Sequence, residues 1–300
     1  MRNNNEYTAA LVANHTWIGK IYDYGLLVKL RLNLVVVISS IFGFFIVSQG
    51  NFSWVNVLTL FVGGFLVTGA ANALNQVFEK DYDILMKRTA NRPVASGRMK
   101  QTEAIIFAGI ACIIGISLLS TFNSVTAFLG MISLVLYAFV YTPLKRYSTI
   151  AVAVGAIPGA LPVLIGMTAY EGRITVFALL LFVIQFLWQF PHFWAIGFLG
   201  YEDYKRAGYK LLPESNGEID RNLGLSSMFY ATLIIPVALI MQIRISEISL
   251  TSTVISVILS LIYMYCCFQL HSRFDKKSAL ILMFYSFLFL PLILLGYWLF

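Results

Sequence analysis

Charge is scarce in this chain. Only 12% of its 300 residues are Asp, Glu, Lys or Arg, against 59% hydrophobic residues and a mean hydropathy of +0.80. So few charges cannot cover a water-soluble globule of this size, which excludes a soluble enzyme and a disordered chain. Cysteine is scarce too: Cys112, Cys266 and Cys267 all lie inside apolar runs. A small buried thiol is the expectation there, and a disulfide scaffold is excluded. Of three histidines, only His192 falls within an apolar run long enough to span; His15 precedes the first run and His271 lies at an inner connection.

What the chain has instead is long apolar runs. A membrane span needs roughly 20 mainly apolar residues. Nine stretches qualify, at about 32–49, 54–78, 104–121, 124–142, 150–169, 175–199, 226–243, 248–270 and 279–299. The expected fold class is therefore all-α and polytopic, with residues 1–300 forming one domain: an N-terminal segment over 1–31 and a nine-helix bundle over 32–300. An odd number of spans puts the termini on opposite faces. With the N-terminus inside, all of the 21 Lys and Arg residues except Arg173 and Arg244 fall in inner segments, so the positive-inside rule fixes that orientation and the inner face is cytoplasmic. No cleavable signal peptide is expected, because the first apolar run is long enough to span and lacks a convincing small-x-small site. The tract Trp17 to Arg31 mixes apolar residues with Lys20, Lys29 and Arg31 and suits an amphipathic helix on the inner surface.

The outer connections are short and nearly uncharged, whereas those after spans two and six are long and carry both signs, so function belongs on the inner face. Asn75, Glu79 and Asp83 recur at i, i+4 and i+8; on a helix leaving the membrane they share one side, while Asp81 faces elsewhere. Two carboxylates and an amide oxygen on one stripe suit a hard divalent cation such as Mg2+, which also binds substrate phosphates. Arg88 and Arg92 follow, with side chains shaped for phosphate oxygens. The plainer reading is a juxtamembrane charge cluster held by salt bridges. Against it, crowded acids at a membrane end need cations to neutralise them.

After span six, Tyr201-Glu202-Asp203-Tyr204 repeats the acid-aromatic character of Glu79-Lys80-Asp81-Tyr82 at the inner end of a parallel span, and Lys205 and Arg206 follow. A parallel repeat of four helices, each half carrying one acidic site, accounts for this. Bridged to a diphosphate, the two sites would support loss of that group as an allylic cation forms in an apolar bundle. Lys145, in the connection Tyr141 to Ser148, can reach such a diphosphate or can act as a topology determinant. His192 reads either as a buried neutral residue bonded to a neighbour or as a contact to the iron of a tetrapyrrole.

At these residues the chain resembles the UbiA-type intramembrane prenyltransferases, and within them the heme O synthase branch. The family's N-x-x-x-D-x-x-x-D stripe is present as Asn75, Glu79 and Asp83, and its D-x-x-M-x-R-T-x-x-R-P run spans Asp83 to Pro93. The stretches from Gly155 to Ala169, Gln189 to Ile196 and Glu202 to Pro213 narrow the resemblance to that branch. It implies nine helices around a central cavity and magnesium-dependent transfer of farnesyl from farnesyl diphosphate to a vinyl group of heme B, giving heme O. It assigns Asn75, Glu79, Asp83 and Asp203 to magnesium and diphosphate, with Arg88, Arg92, Lys145 and Lys205 as substrate contacts and His192 holding heme. The implied surroundings are the lipid bilayer and heme A synthase or terminal oxidase assembly, with no nucleic acid. Two positions depart from the pattern: Glu79 stands where Asp is usual, and Lys29-Leu30-Arg31 replaces a K-P-R triplet. Two other functions compete: prenyl transfer to an aromatic quinone precursor, and a cation-coupled transporter. A transporter should carry its ionisable groups near the bilayer midplane, where this chain has almost none.

Overall fold

A computed structural model describes residues 17–300; His15 and the residues around it lie outside them. Among the described residues nine helices are long and apolar enough to cross a membrane. They are α2 (Leu30–Ser48), α3 (Trp54–Phe78), α5 (Gln101–Ser120), α6 (Ser124–Leu144), α7 (Ala151–Glu171), α8 (Val176–Leu199), α10 (Leu223–Arg244), α11 (Leu250–Arg273) and α12 (Lys276–Leu299). Three short helices complete the set: α1 (Trp17–Leu27), α4 (Lys80–Asp83) and α9 (Tyr201–Arg206).

Local sequence sets the helix starts. Ser53, Asn123, Thr175 and Ser249 each accept a hydrogen bond from a backbone N–H in the first turn of the helix that follows, satisfying a donor the helix itself leaves free. Asp275 and Ser278 form a reciprocal capping box at α12. Gly172, at φ +73°, ends α7 in the left-handed conformation that glycine tolerates.

α7 is the most enclosed span, packed against α2, α6 and α8. α8 joins it to α10 and α12, α11 bridges those two, and α12 returns to α2, where Trp298 stacks on Phe45. The α2–α7 contact depends on missing side chains: a β-carbon on Gly166 would lie 1.7 Å from the Ser40 carbonyl oxygen, and one on Gly43 would lie 2.3 Å from that of Val163. Small residues allow backbones in a membrane to approach this closely. Large apolar side chains such as Ile113, Leu58 and Phe284 point outward, as a lipid-facing surface requires.

α1 presents Trp17, Ile18 and Ile21 outward and buries Asp23, which accepts a 2.9 Å bond from Arg98 Nε. The helix expected over Trp17 to Arg31 ends at Leu27. The chain turns at Lys29, whose φ of +50° is left-handed, and α2 begins at Leu30.

Two further features were not expected. Residues Leu136–Tyr141 of α6 form a π-helical segment. Beyond α9, the strands Glu214–Ser215 (β1) and Glu218–Ile219 (β2) pair as an antiparallel hairpin across Asn216 and Gly217, both at positive φ.

Candidate active site

α3 ends at Phe78, so Asn75, Glu79 and Asp83 do not share one unbroken helix. Yet the Glu79 amide donates to the Asn75 carbonyl at 3.0 Å and the Asp83 amide to the Glu79 carbonyl at 2.8 Å. The i, i+4 ladder thus continues through the break and keeps the three side chains together. All three are buried, whereas Asp81 is exposed.

Burying carboxylates is costly unless cations meet them; Arg92 and Lys145 do, and Lys29 meets the amide of the stripe. Arg92 places one guanidinium nitrogen 2.8 and 2.7 Å from the two Asp83 oxygens and 3.6 Å from Glu79. Lys145 pairs with Glu79 and lies over the rings of Tyr141 and Tyr209, 4.8 and 5.4 Å from their centroids. Lys29 Nζ donates to Asn75 Oδ1 at 2.8 Å and to the Tyr137 hydroxyl at 3.3 Å. The Asn75 amide donates in turn to Thr142 Oγ1 at 3.1 Å, and that hydroxyl donates to the Tyr137 carbonyl at 2.8 Å across the π segment. Asn72 and Gln76, on the preceding turns of α3, bind the carbonyls of Val28, Leu26 and Leu27 and hold the Lys29 turn in place.

The cluster therefore sets Arg92 and Lys145 against two carboxylates, with the buried Lys29 amine beside them. Burial alone would push the Glu79 carboxyl up, but Lys145, Lys29 and Arg92 beside it hold it below the ordinary carboxylate range. Burial also drives the Lys29 ammonium well below its usual value, helped by repulsion from Arg92. An anion entering here would favour the charged form of Lys29. Burial and the nearby charges of Glu79 and Asp83 raise the Tyr209 phenol, keeping it a neutral donor.

Not every residue expected at the site reaches it. Arg88 donates to the Tyr204 hydroxyl at 2.8 Å on the exposed side of the loop. Asp203 pairs with Arg206 one turn along α9, and Lys205 donates to the Gly217 carbonyl at 2.9 Å. Among the described residues, no group of three or more His, Cys, Asp or Glu side chains is close enough to hold a metal ion, so Asp203 does not join Glu79 and Asp83. The physical reason is that α9 is a single short helix with no buried residue, held by its own ion pair. The two inner connections do meet, through Tyr209, Tyr82, Tyr204 and Met86, and the Lys210 amide donates to the Lys145 carbonyl at 2.7 Å. Packing, rather than a shared acid cluster, joins them.

Sequence reasoning missed Lys29 as a site residue because an amphipathic pattern placed it on a surface helix. Its signal was the triplet position before span one. His192, in α8, lies apart from the charged cluster, with its Nδ1 2.7 Å from Ser286 Oγ of α12.

A profile of the UbiA prenyltransferase family matches residues 36–288. A protoheme IX farnesyltransferase of Cytophaga hutchinsonii is 39% identical over 275 residues, covering 91% of this chain and 96% of that protein. Among solved structures, a digeranylgeranylglyceryl phosphate synthase superposes with a TM-score of 0.78 at 20% identity, covering 94% of this chain and 98% of the other. A UbiA homolog from Archaeoglobus fulgidus, bound to GPP and Mg2+, does so with a TM-score of 0.63 at 14% identity, covering 91% and 99%.

Proposed function

The chain belongs to the UbiA prenyltransferase family, and from that premise we propose that it transfers farnesyl from farnesyl diphosphate to a vinyl group of protoheme IX, giving heme O and diphosphate. The observation that carries this reading is the buried cluster of Arg92, Lys145 and Lys29 with Glu79 and Asp83 at the end of α3, in a chain 39% identical to a protoheme IX farnesyltransferase. The site faces the cytoplasmic leaflet of the inner membrane, with the C-terminus on the opposite face, as the distribution of Lys and Arg supports.

Arg92, Lys145 and Lys29 hold the diphosphate, while Arg88 and Lys205 stay on the loop surface, bonded to the Tyr204 hydroxyl and the Gly217 carbonyl. Asn75, Glu79 and Asp83 offer the all-oxygen donor set that fits magnesium, each now engaged by one of those three basic side chains. Magnesium bound there would draw charge from the departing diphosphate. The carbon–oxygen bond to that group breaks and the diphosphate leaves with the bonding pair; the vinyl π electrons form the new carbon–carbon bond to the allylic carbon, and the cation left on the inner vinyl carbon is taken up by a water molecule, which becomes the product's hydroxyl as its proton passes to solvent. The guanidinium and ammonium groups stabilise the charge it gains. The apolar spans receive the hydrocarbon tail and keep water from the allylic cation.

The experiment is to incubate the detergent-purified full chain with heme B, farnesyl diphosphate and magnesium, with a chelator control, and to follow heme by mass and retention. A heavier, more apolar heme formed only with metal supports the reading, as does its loss in Asp83→Asn. Consumption of farnesyl diphosphate only when a hydroxybenzoate or naphthoate is supplied would move the acceptor. No consumption with any acceptor would overturn the reading.

A further inference from the structure

His192 sits in a frame with one specific chemical property. Its ring stacks on Trp188 of the same helix, with centroids 4.8 Å apart and planes within 19°. Phe287 of α12 meets it edge-on at 5.2 Å. Trp188 is itself fixed at both ends: its indole N–H donates to the Ser286 carbonyl at 2.9 Å, and its own carbonyl accepts from the buried Tyr263 hydroxyl at 3.0 Å. The ring plane is thereby set by α8, α11 and α12 together.

Ser286 settles which nitrogen carries the proton. Its Oγ lies 2.6 Å from the Met283 carbonyl oxygen and 2.7 Å from His192 Nδ1. A carbonyl has no hydrogen to give, so the serine donates its single proton to Met283. The contact to Nδ1 is then attractive only if Nδ1 carries hydrogen and donates to Oγ. A bare Nδ1 would bring two lone pairs together at 2.7 Å in a buried site, which costs what an unmade hydrogen bond costs. His192 is therefore the Nδ1–H tautomer, and Nε2 carries the lone pair. Among the described residues Nε2 has no hydrogen-bond partner.

We infer that Ser286 is a positioning residue that fixes His192 in the tautomer whose Nε2 ligates the iron of the porphyrin acceptor, an inference that rests on the heme-farnesylating reading above. A histidine bound to metal nearly always donates its other ring N–H to a neighbouring acceptor, which sets its orientation and raises its basicity. Ser286 supplies that acceptor. Trp188 and Phe287 restrict rotation of the His192 ring, so the direction of the Nε2 lone pair is set before the acceptor arrives.

The test is spectroscopic, on the full chain in nanodiscs titrated with heme B. Wild type is expected to show an iron–histidine stretching band in the ferrous protein. His192→Ala should abolish the band, and added imidazole should restore an imidazole-ligated spectrum, which would also show that the variant folds. Ser286→Ala should weaken heme binding roughly ten- to hundredfold, as loss of a partner to a metal-bound histidine usually does, and should lower the stretching frequency; Ser286→Thr, which keeps the hydroxyl, should recover both. A band unchanged in His192→Ala would overturn the ligation, and an unchanged frequency and affinity in Ser286→Ala would overturn the positioning role. Farnesyl transfer to heme B, measured on the same preparations, separates the two failures. Transfer by wild type with a band indifferent to His192 removes this inference alone, whereas no transfer by wild type removes the reading beneath it.

Discussion

Lys29 and Asn75 meet across 46 residues of chain, the ammonium of one donating at 2.8 Å to the amide oxygen of the other. The bond joins the turn before the first span to the C-terminal end of the second. It also puts a lysine on an oxygen donor of the proposed magnesium set. The side chain arrives there because the backbone turns left-handed at that residue, which costs a non-glycine residue roughly 1–2 kcal/mol. Arg92, Lys145 and the two carboxylates around it make that cost intelligible as part of the proposed diphosphate site.

Replacing Lys29 with Met should therefore weaken diphosphate binding while leaving the spans in place. A hydrogen bond to a charged group contributes about 1.5–3 kcal/mol, so KM for farnesyl diphosphate should rise roughly ten- to hundredfold. Steady-state kinetics with a fixed heme concentration would measure it. An unchanged KM would remove Lys29 from the site.

Arg88 and Arg92 occupy similar places in the sequence motif but different places in the structure. Arg92 binds both oxygens of a fully buried carboxylate, while Arg88 meets a tyrosine on the exposed side. Arg92→Ala should lower kcat/KM at least tenfold more than Arg88→Ala. It should also destabilise the fold by about 3–5 kcal/mol, because Asp83 is left buried and unpaired. Thermal unfolding in detergent and transfer kinetics on the two variants would check both parts.

Gly166→Ala should lower thermal stability without altering the charged cluster. The added methyl would stand 1.7 Å from the Ser40 carbonyl oxygen, so α2 and α7 would have to separate. Overpacking of this kind costs typically about 1–3 kcal/mol. An unfolding temperature equal to wild type would show that the two helices are not held as tightly as described.

The Asp275 cap predicts a pH dependence with a definite sign. Hydrogen bonds from the backbone and side chain of Ser278 hold its carboxyl below the ordinary value of 3.8. Its folded value is depressed, so its stabilisation of α12 is present above 3.8 and is lost as pH falls through the folded value. Asp275→Asn keeps a capping oxygen that does not titrate. The drop in unfolding temperature between about pH 7 and pH 3 should be smaller in that variant than in wild type, and equal drops would refute the titrating cap.

The spans were legible because hydropathy and the asymmetry of Lys and Arg are one-dimensional signals. The stripe Asn75, Glu79, Asp83 was legible because helical periodicity survives the short break at Glu79. Lys29 was not, since an amphipathic pattern cannot reveal a left-handed turn that redirects one side chain inward. Ser286 gave no signal at all: a lone serine in an apolar run acquires meaning only from the helix facing it. The hairpin at Asn216-Gly217 was visible as a turn dipeptide, but the charge of its surroundings drew attention to Asp203 and Lys205 instead.

The π segment at Leu136–Tyr141 makes α6 behave as a vernier. Such a segment accommodates one residue more than an α-helical path of the same length, and one residue is worth about 100° of rotation. The part of α6 before the π segment can keep its phase against α7, through Thr126 and Thr168, while Thr142 and Lys145 keep a different phase against Asn75 and Glu79. Without that offset the span would have to choose between packing and chemistry. A change of a single residue in its length would therefore retune the site without any substitution among the residues that form it.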